Sequence, residues 1–176
     1  MPTGMIGQFL GSSFPKLRKG QLLTGPYEQI GHFHPQGAPV VFGALLKYGD
    51  SKKYYAAMAG NETDAALFAG IAVLTESGSP TSYPGTKTQY ELGEAGNVLI
   101  HGSIAVELSA AVNTDADDVA EGGKVYMGTD GKVTPVATNG LAAGDLVNYL
   151  LLPELVFTGD VEVVDGTTLV GVRKRY

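Results

Sequence analysis

Residues 113–135 read NTDADDVAEGGKVYMGTDGKVTP, a cluster of acids followed by a strand, a turn and a second strand. Two readings compete for it. Asp115, Asp117, Asp118 and Glu121 crowd into seven residues and offer the hard oxygen ligands that calcium takes. Counted as an EF-hand loop from Asn113, however, the sixth place needs Gly and holds Asp118, and the twelfth needs a bidentate Glu and holds Lys124. The acids therefore read as a solvated loop. The remainder reads as β structure, because KVYM and KVTPVA flank Gly128-Thr129-Asp130-Gly131, where Asp and Gly supply the local hydrogen bond and positive φ of a chain reversal. Pro135 has no N–H for a ladder and places the second strand at an edge.

Similar signals extend in both directions. Towards the C-terminus, VEVV and TTLVGVR flank Asp165-Gly166, a two-residue hairpin turn of the primed type. Upstream, NVLIHGSIAVEL alternates: Val98, Ile100, Ile104, Val106 and Leu108 share one face, and Asn97, His101, Ser103 and Glu107 the other. Gly102 interrupts the apolar face, which predicts a bulge or a close backbone approach. LFAGIAVLTE is apolar on both faces and predicts a central strand, and VVFGALLKYG from Val40 predicts a first buried strand. Between them, DSKKYYAAMAG predicts a short helix capped by Asp50 or Ser51 and ended by Gly60, with a second cap at Thr63. ESGSPTSYPGTKTQ predicts a surface excursion. The chain is thus expected to be mainly β, a small antiparallel barrel or sandwich with an extended N-terminal arm (1–39), a β domain (40–176) and one or two short helices.

Composition agrees. Of 176 residues, 25 are Gly and 9 Pro, with 17% charged and 44% hydrophobic, which fits short strands and tight turns better than a helical bundle or a disordered chain. The absence of Cys removes disulfides, thiolate catalysis and thiolate zinc sites, leaving packing or subunit association to hold the fold. MPTGMIGQFLGSSFPKLRKG lacks the charged segment and unbroken apolar run of a signal peptide, and no segment has the eighteen apolar residues of a membrane span. The expectation is a soluble protein that is not exported.

The first forty residues hold seven Gly and five Pro with no apolar period, so they cannot build a core of their own. They are nevertheless too apolar to leave in water, which predicts an arm that packs on the body or on a neighbour. The net charge of −6 is unevenly spread. Lys16, Arg18 and Lys19 face only Glu28 in residues 1–39, Arg173, Lys174 and Arg175 end the chain, and residues 40–172 hold 6 basic and 17 acidic residues. Both ends suit an acidic protein surface or are simply solvated. Nucleic acid is disfavoured by the few basic residues and the acidic body.

Catalytic signals are thin. His32 and His34 in GHFHP have ligand-like spacing on a strand, as in a cupin-like metal-dependent binder or enzyme, yet no acid follows and His101 lacks the second motif. There is no Gly-x-Ser-x-Gly elbow, no Walker loop and no GxGxxG opening a helix, and GLAAGD at 140–145 reads as a plain turn. No enzyme, metal or cofactor is expected.

The succession FAGIAV, HGSIAVEL, VAEGGKVYMGTDGKVTPV and LVGVR resembles the head decoration or structural cement proteins of tailed bacteriophages. Gly70 to Val73, Gly102 to Leu108, and Gly123 with Val125 and Tyr126 carry the resemblance, which spans roughly residues 65–173. It implies a non-enzymatic β domain on the outer surface of a capsid, made in the host cytoplasm, bridging major capsid protein subunits and often trimeric, with neither nucleic acid nor membrane as partner. Another phage part, such as a tail, baseplate or head-fibre module, shares this composition. In such a protein we expect Phe9, Phe14, Leu22, Tyr27 and Phe33 to be apolar anchors of the arm, with Lys16, Arg18, Lys19, Arg173, Lys174 and Arg175 as electrostatic partners. Deleting residues 1–35 is expected to abolish capsid binding while leaving a folded β body.

Overall fold

The twelve-residue strand Gly96–Glu107 is the spine of the molecule, because it belongs to two sheets at once. The computed structural model describes residues 17–23, 28–74, 88–110, 119–142 and 144–175. In chain order the strands are β1 (Leu22–Leu23), β2 (Gln29–Pro35), β3 (Val40–Val41), β4 (Leu45–Tyr48), β5 (Tyr54–Ala57), β6 (Phe68–Ala72), β7 (Gln89–Tyr90) and β8 (Gly96–Glu107). They continue as β9 (Lys124–Met127), β10 (Val133–Thr134), β11 (Leu150–Val164) and β12 (Thr167–Lys174). The architecture is mainly β, as the sequence predicts.

At Gly102 β8 changes company. Residues 102–107 pair with β12, and β1 pairs at Ile104 and Ser103, within a sheet ordered β10-β9-β11-β12-β8-β1. Residues 96–101 pair with β2, and Leu99 and Val98 pair with β6. Beyond these, β2 pairs with β5, β5 with β4 and β4 with β6, so the pairings of β8, β2, β5, β4 and β6 close into a ring. The predicted irregularity lies at this junction: Gly102 has φ +128, and the β2 register skips Ile100 between Gln29 and Ile30. The skip shifts the side-chain phase, so Leu99 joins Ile104 and Val106 in the main core, while Ile100, expected inside, is exposed.

Two cores result. The main one packs the inner face of the β8–β12 sheet, including Ile104, Val125, Met127, Leu155, Phe157, Val170 and Val172, against the outside of the ring at Leu45, Phe68 and Ile71. The second fills the ring with Phe33, Leu46, Ala72 and Val98, packed by Tyr55, so that each of the five strands contributes. Tyr90 closes it from β7, its ring edge-on to Phe33 at 5.6 Å and its hydroxyl donating to the Val73 carbonyl at 2.6 Å. Central placement of β6 follows expectation, since all five of its residues are buried.

Several expectations change. The helix expected between Asp50 and Gly60 is instead β5; its Tyr54, Tyr55, Ala56 and Ala57 find strand partners on both sides, and tertiary pairing overrides the local cap signal. One 3-10 turn, Ala65–Leu67, is the helical element among the described residues, and its cap is Asp64 rather than Thr63, accepting the Ala66 N–H at 2.9 Å. VVFGALLKYG is not continuous: Gly43 has φ +76, and a Cβ there would lie 2.9 Å from the Gly20 nitrogen, so the strand breaks where the N-terminal segment crosses it. Not every pairing is antiparallel, because β2 and β5 run parallel. Residues 29–35 join the body as β2, pairing with β5 and β8 in the ring.

Both predicted turns form. β9 and β10 pair around Gly128–Gly131, with β10 at the sheet edge before Pro135. Val164 faces Thr167 across Asp165 (φ 49) and Gly166 (φ 77), the two positive φ values of a type I′ turn. Residues 111–118, the acidic loop, and 75–87, most of the excursion, lie outside the described residues.

Candidate attachment surface

The sequence leaves open whether the basic ends meet; the topology brings them to one strand. Leu23 pairs with Ser103 of β8 from one side and Arg173 pairs with the same Ser103 from the other, so arm and C-terminus flank residues 102–105. Strand alternation then sorts the side chains. On β12, Val170 and Val172 enter the main core, while Leu169, Gly171 and Arg173 face the opposite surface of the sheet. There Arg173 is exposed and its Nε donates to the Ser103 Oγ at 3.2 Å.

This outer surface is crossed by the root of the N-terminal segment. Leu17 is buried in a third cluster with Ala105 and Leu169, with Leu23 packed beside it. Its N–H donates to a Glu162 carboxylate oxygen at 2.6 Å. Gly20 donates to the Ala105 carbonyl at 2.8 Å and accepts from the Leu74 N–H at 2.6 Å. A Cβ on Gly171 would lie 2.8 Å from Leu23, so the glycine lets the segment sit close to the sheet.

Charge reinforces the root. Glu107 pairs with both Lys19 from the segment and Lys132 from the β9–β10 hairpin. Burial alone would raise the Glu107 carboxyl, but the hydrogen bonds and charges of Lys132 and Lys19 hold it below the ordinary carboxylate range. A cavity of about 230 Å³ opens beside this triad, lined by Gly43, Met58 and Asp130 among others.

The expected partner-binding residues therefore divide. Arg18, Lys19, Arg173 and Arg175 lie at the outer surface or its margin, Arg175 donating its N–H to the Glu154 carbonyl at 2.7 Å. Leu22 turns inward and packs on the main core. Phe33 is 1% exposed inside the ring and Lys174 is 7% exposed, paired with Glu154 and 5.3 Å from the centre of the Phe68 ring. Alternation on β2 and β12 turns both side chains into the fold. Phe9, Phe14, Lys16 and Tyr27 lie outside the described residues.

The histidines separate as well. His32 and His34 share the outer side of β2, whereas His101 sits on β8 opposite Gln29. Among the described residues no three His, Cys, Asp or Glu side chains converge on a metal-sized site, so a cupin-like set is not assembled there. No helix among them is long and apolar enough to cross a membrane.

One surface escaped the sequence reading. The loop after β10 folds back through a bridge between Thr138 and Asn148 and is pinned by Asn139, whose Oδ1 accepts from the Leu141 and Val147 N–H groups at 3.3 and 3.1 Å. It exposes Leu141, Leu146 and Val147, with Leu151 exposed at the adjoining strand. The signal was present in GLAAGDLVN, where apolar residues lie between turn residues and have no strand period to bury them.

Comparison with known proteins places these features. The model of the family described as "Structural cement protein (E217 gp24/Pam3 gp6)" matches residues 6–173. A solved structure titled "The capsid of Myoviridae Phage XM1" superimposes with a TM-score of 0.59 over 90% of each chain at 17% identity, a likeness of fold. No curated protein matches.

Proposed function

The chain belongs to the structural cement protein family of phage capsids, and from that membership we propose that it sits on the outer surface of a phage head, bridging neighbouring major capsid protein subunits. It acts without catalysis. Interface that exists only in the assembled shell stabilises that shell by mass action, because the cement binds the assembled state and not the free subunits. A homotrimer is the assembly we favour.

The observation that carries this reading is the family match across nearly the whole chain. The outer face of the β8–β12 sheet supports it, since the root of residues 17–23 is hydrogen-bonded there beside exposed Arg173. Phe9, Phe14 and Tyr27 would supply apolar contacts, and Lys16, Arg18, Lys19, Arg173 and Arg175 would supply charge, with the Leu141 to Leu151 surface as a second apolar contact.

The test is occupancy on particles. A chain lacking residues 1–16 keeps the whole described fold and should lose most of its binding to cement-free heads, measured by sedimentation with the particles. Undiminished occupancy by the shortened chain would overturn the arm's role. Failure of the intact chain to bind heads at all would overturn the function.

A further inference from the structure

Phe33 fills the ring, and the two-residue period of β2 therefore sends His32 and His34 together to the outer side. Both imidazoles are held by the same nitrogen. His32 Nδ1 lies 2.8 Å from the Asn97 Oδ1, and His34 Nδ1 lies 3.0 Å from the Glu94 carbonyl oxygen. A carbonyl oxygen only accepts, so the hydrogen is on His34 Nδ1; the Asn97 oxygen fixes His32 in the same tautomer. In a neutral imidazole so held, the lone pair is at Nε2. That is the arrangement by which an outer acceptor orients a metal-ligating histidine. His34 is further confined by the Tyr54 ring, centroid to centroid 5.7 Å.

We propose that His32 and His34 form a two-imidazole chelate for a borderline divalent transition metal such as Zn²⁺ or Cu²⁺, through Nε2 of each ring. Imidazole nitrogen selects these ions over Ca²⁺ and Mg²⁺, which prefer oxygen. Two protein ligands occupy half of a tetrahedral shell, and the open positions take water or a donor from a neighbouring molecule. The site is independent of the capsid reading, because it needs only β2, the Asn97 side chain and the Glu94 carbonyl.

Calorimetric titration of the untagged full-length chain with ZnCl₂, and separately with CuSO₄, tests it. One ion should bind per chain, with Asn97→Ala weakening the affinity about 10–100-fold and His32→Ala and His34→Gln each weakening it further. CaCl₂ should give no saturable heat. Absence of saturable Zn²⁺ and Cu²⁺ binding, or unchanged affinity when His32→Ala and His34→Gln are combined in one chain, would overturn the proposal. His32 is exposed, so His32→Ala alone decides the matter should His34→Gln fail to fold.

Discussion

Two stretches of the N-terminal forty residues, 17–23 and 29–35, have similar Gly-interrupted compositions and opposite fates. The first lies across the outer face of the β8–β12 sheet, held by Leu17, the Gly20 backbone and the Lys19–Glu107 pair. The second becomes β2, supplies Phe33 to the ring and pairs with both β8 and β5. Partner strands, not composition, separate a fastening from a structural member. The consequence is practical: a deletion through residue 35 removes a strand of the ring, whereas one through residue 16 does not.

The contrast is sharpest at Phe33. Phe33→Ala should destabilise the protein by about 3–5 kcal/mol in denaturant unfolding, because a large ring leaves a closed interior that cannot collapse. Leu17→Ala should cost less, about 2 kcal/mol, since its cluster is small and near solvent. Equal losses for the two would erase the distinction between strand and fastening.

Acid should act on the fastening first. A carboxyl held below its ordinary value of 4.5 contributes stability that is complete above that value and disappears as pH falls through the lower folded one. Proteolysis near Lys19 should therefore accelerate as pH falls below 4.5, before the core unfolds, and Glu107→Gln should show the faster cleavage already at neutral pH. The same sign applies to Glu62, where burial is outweighed by Lys47 and the Ala59 and Gly60 N–H groups. The smallest effect is expected for Lys19→Ala, below about 1 kcal/mol, because that side chain is 45% exposed and Lys132 still serves Glu107.

Legibility followed the range of the forces. The Asp165-Gly166 and Gly128–Gly131 reversals were readable because positive φ is a local demand met by local residues. The helix expected around Tyr54 and Tyr55 was not, because its cap signal was local while the pairing that defeated it joins β5 to β4 and β2. On β8 the apolar alternation was real, yet the skipped Ile100 moved half the strand into the other phase. Of the attachment surface, the basic residues were visible, but which of them face outward was not: Arg173 and Lys174 are adjacent in sequence and turn to opposite sides.

The stretch NTDADDVAEGGKVYMGTDGKVTP shows the same division in miniature. By itself the sequence determined the β class, the hairpin at its end, the edge strand before Pro135 and the resemblance to cement proteins, all of which rest on residue types and short spacings. Only the tertiary structure decided that β8 would be shared by a ring and a sheet, that Phe33 would be core, and that the two basic ends would flank Ser103. Those outcomes depend on long-range register, which no local pattern encodes.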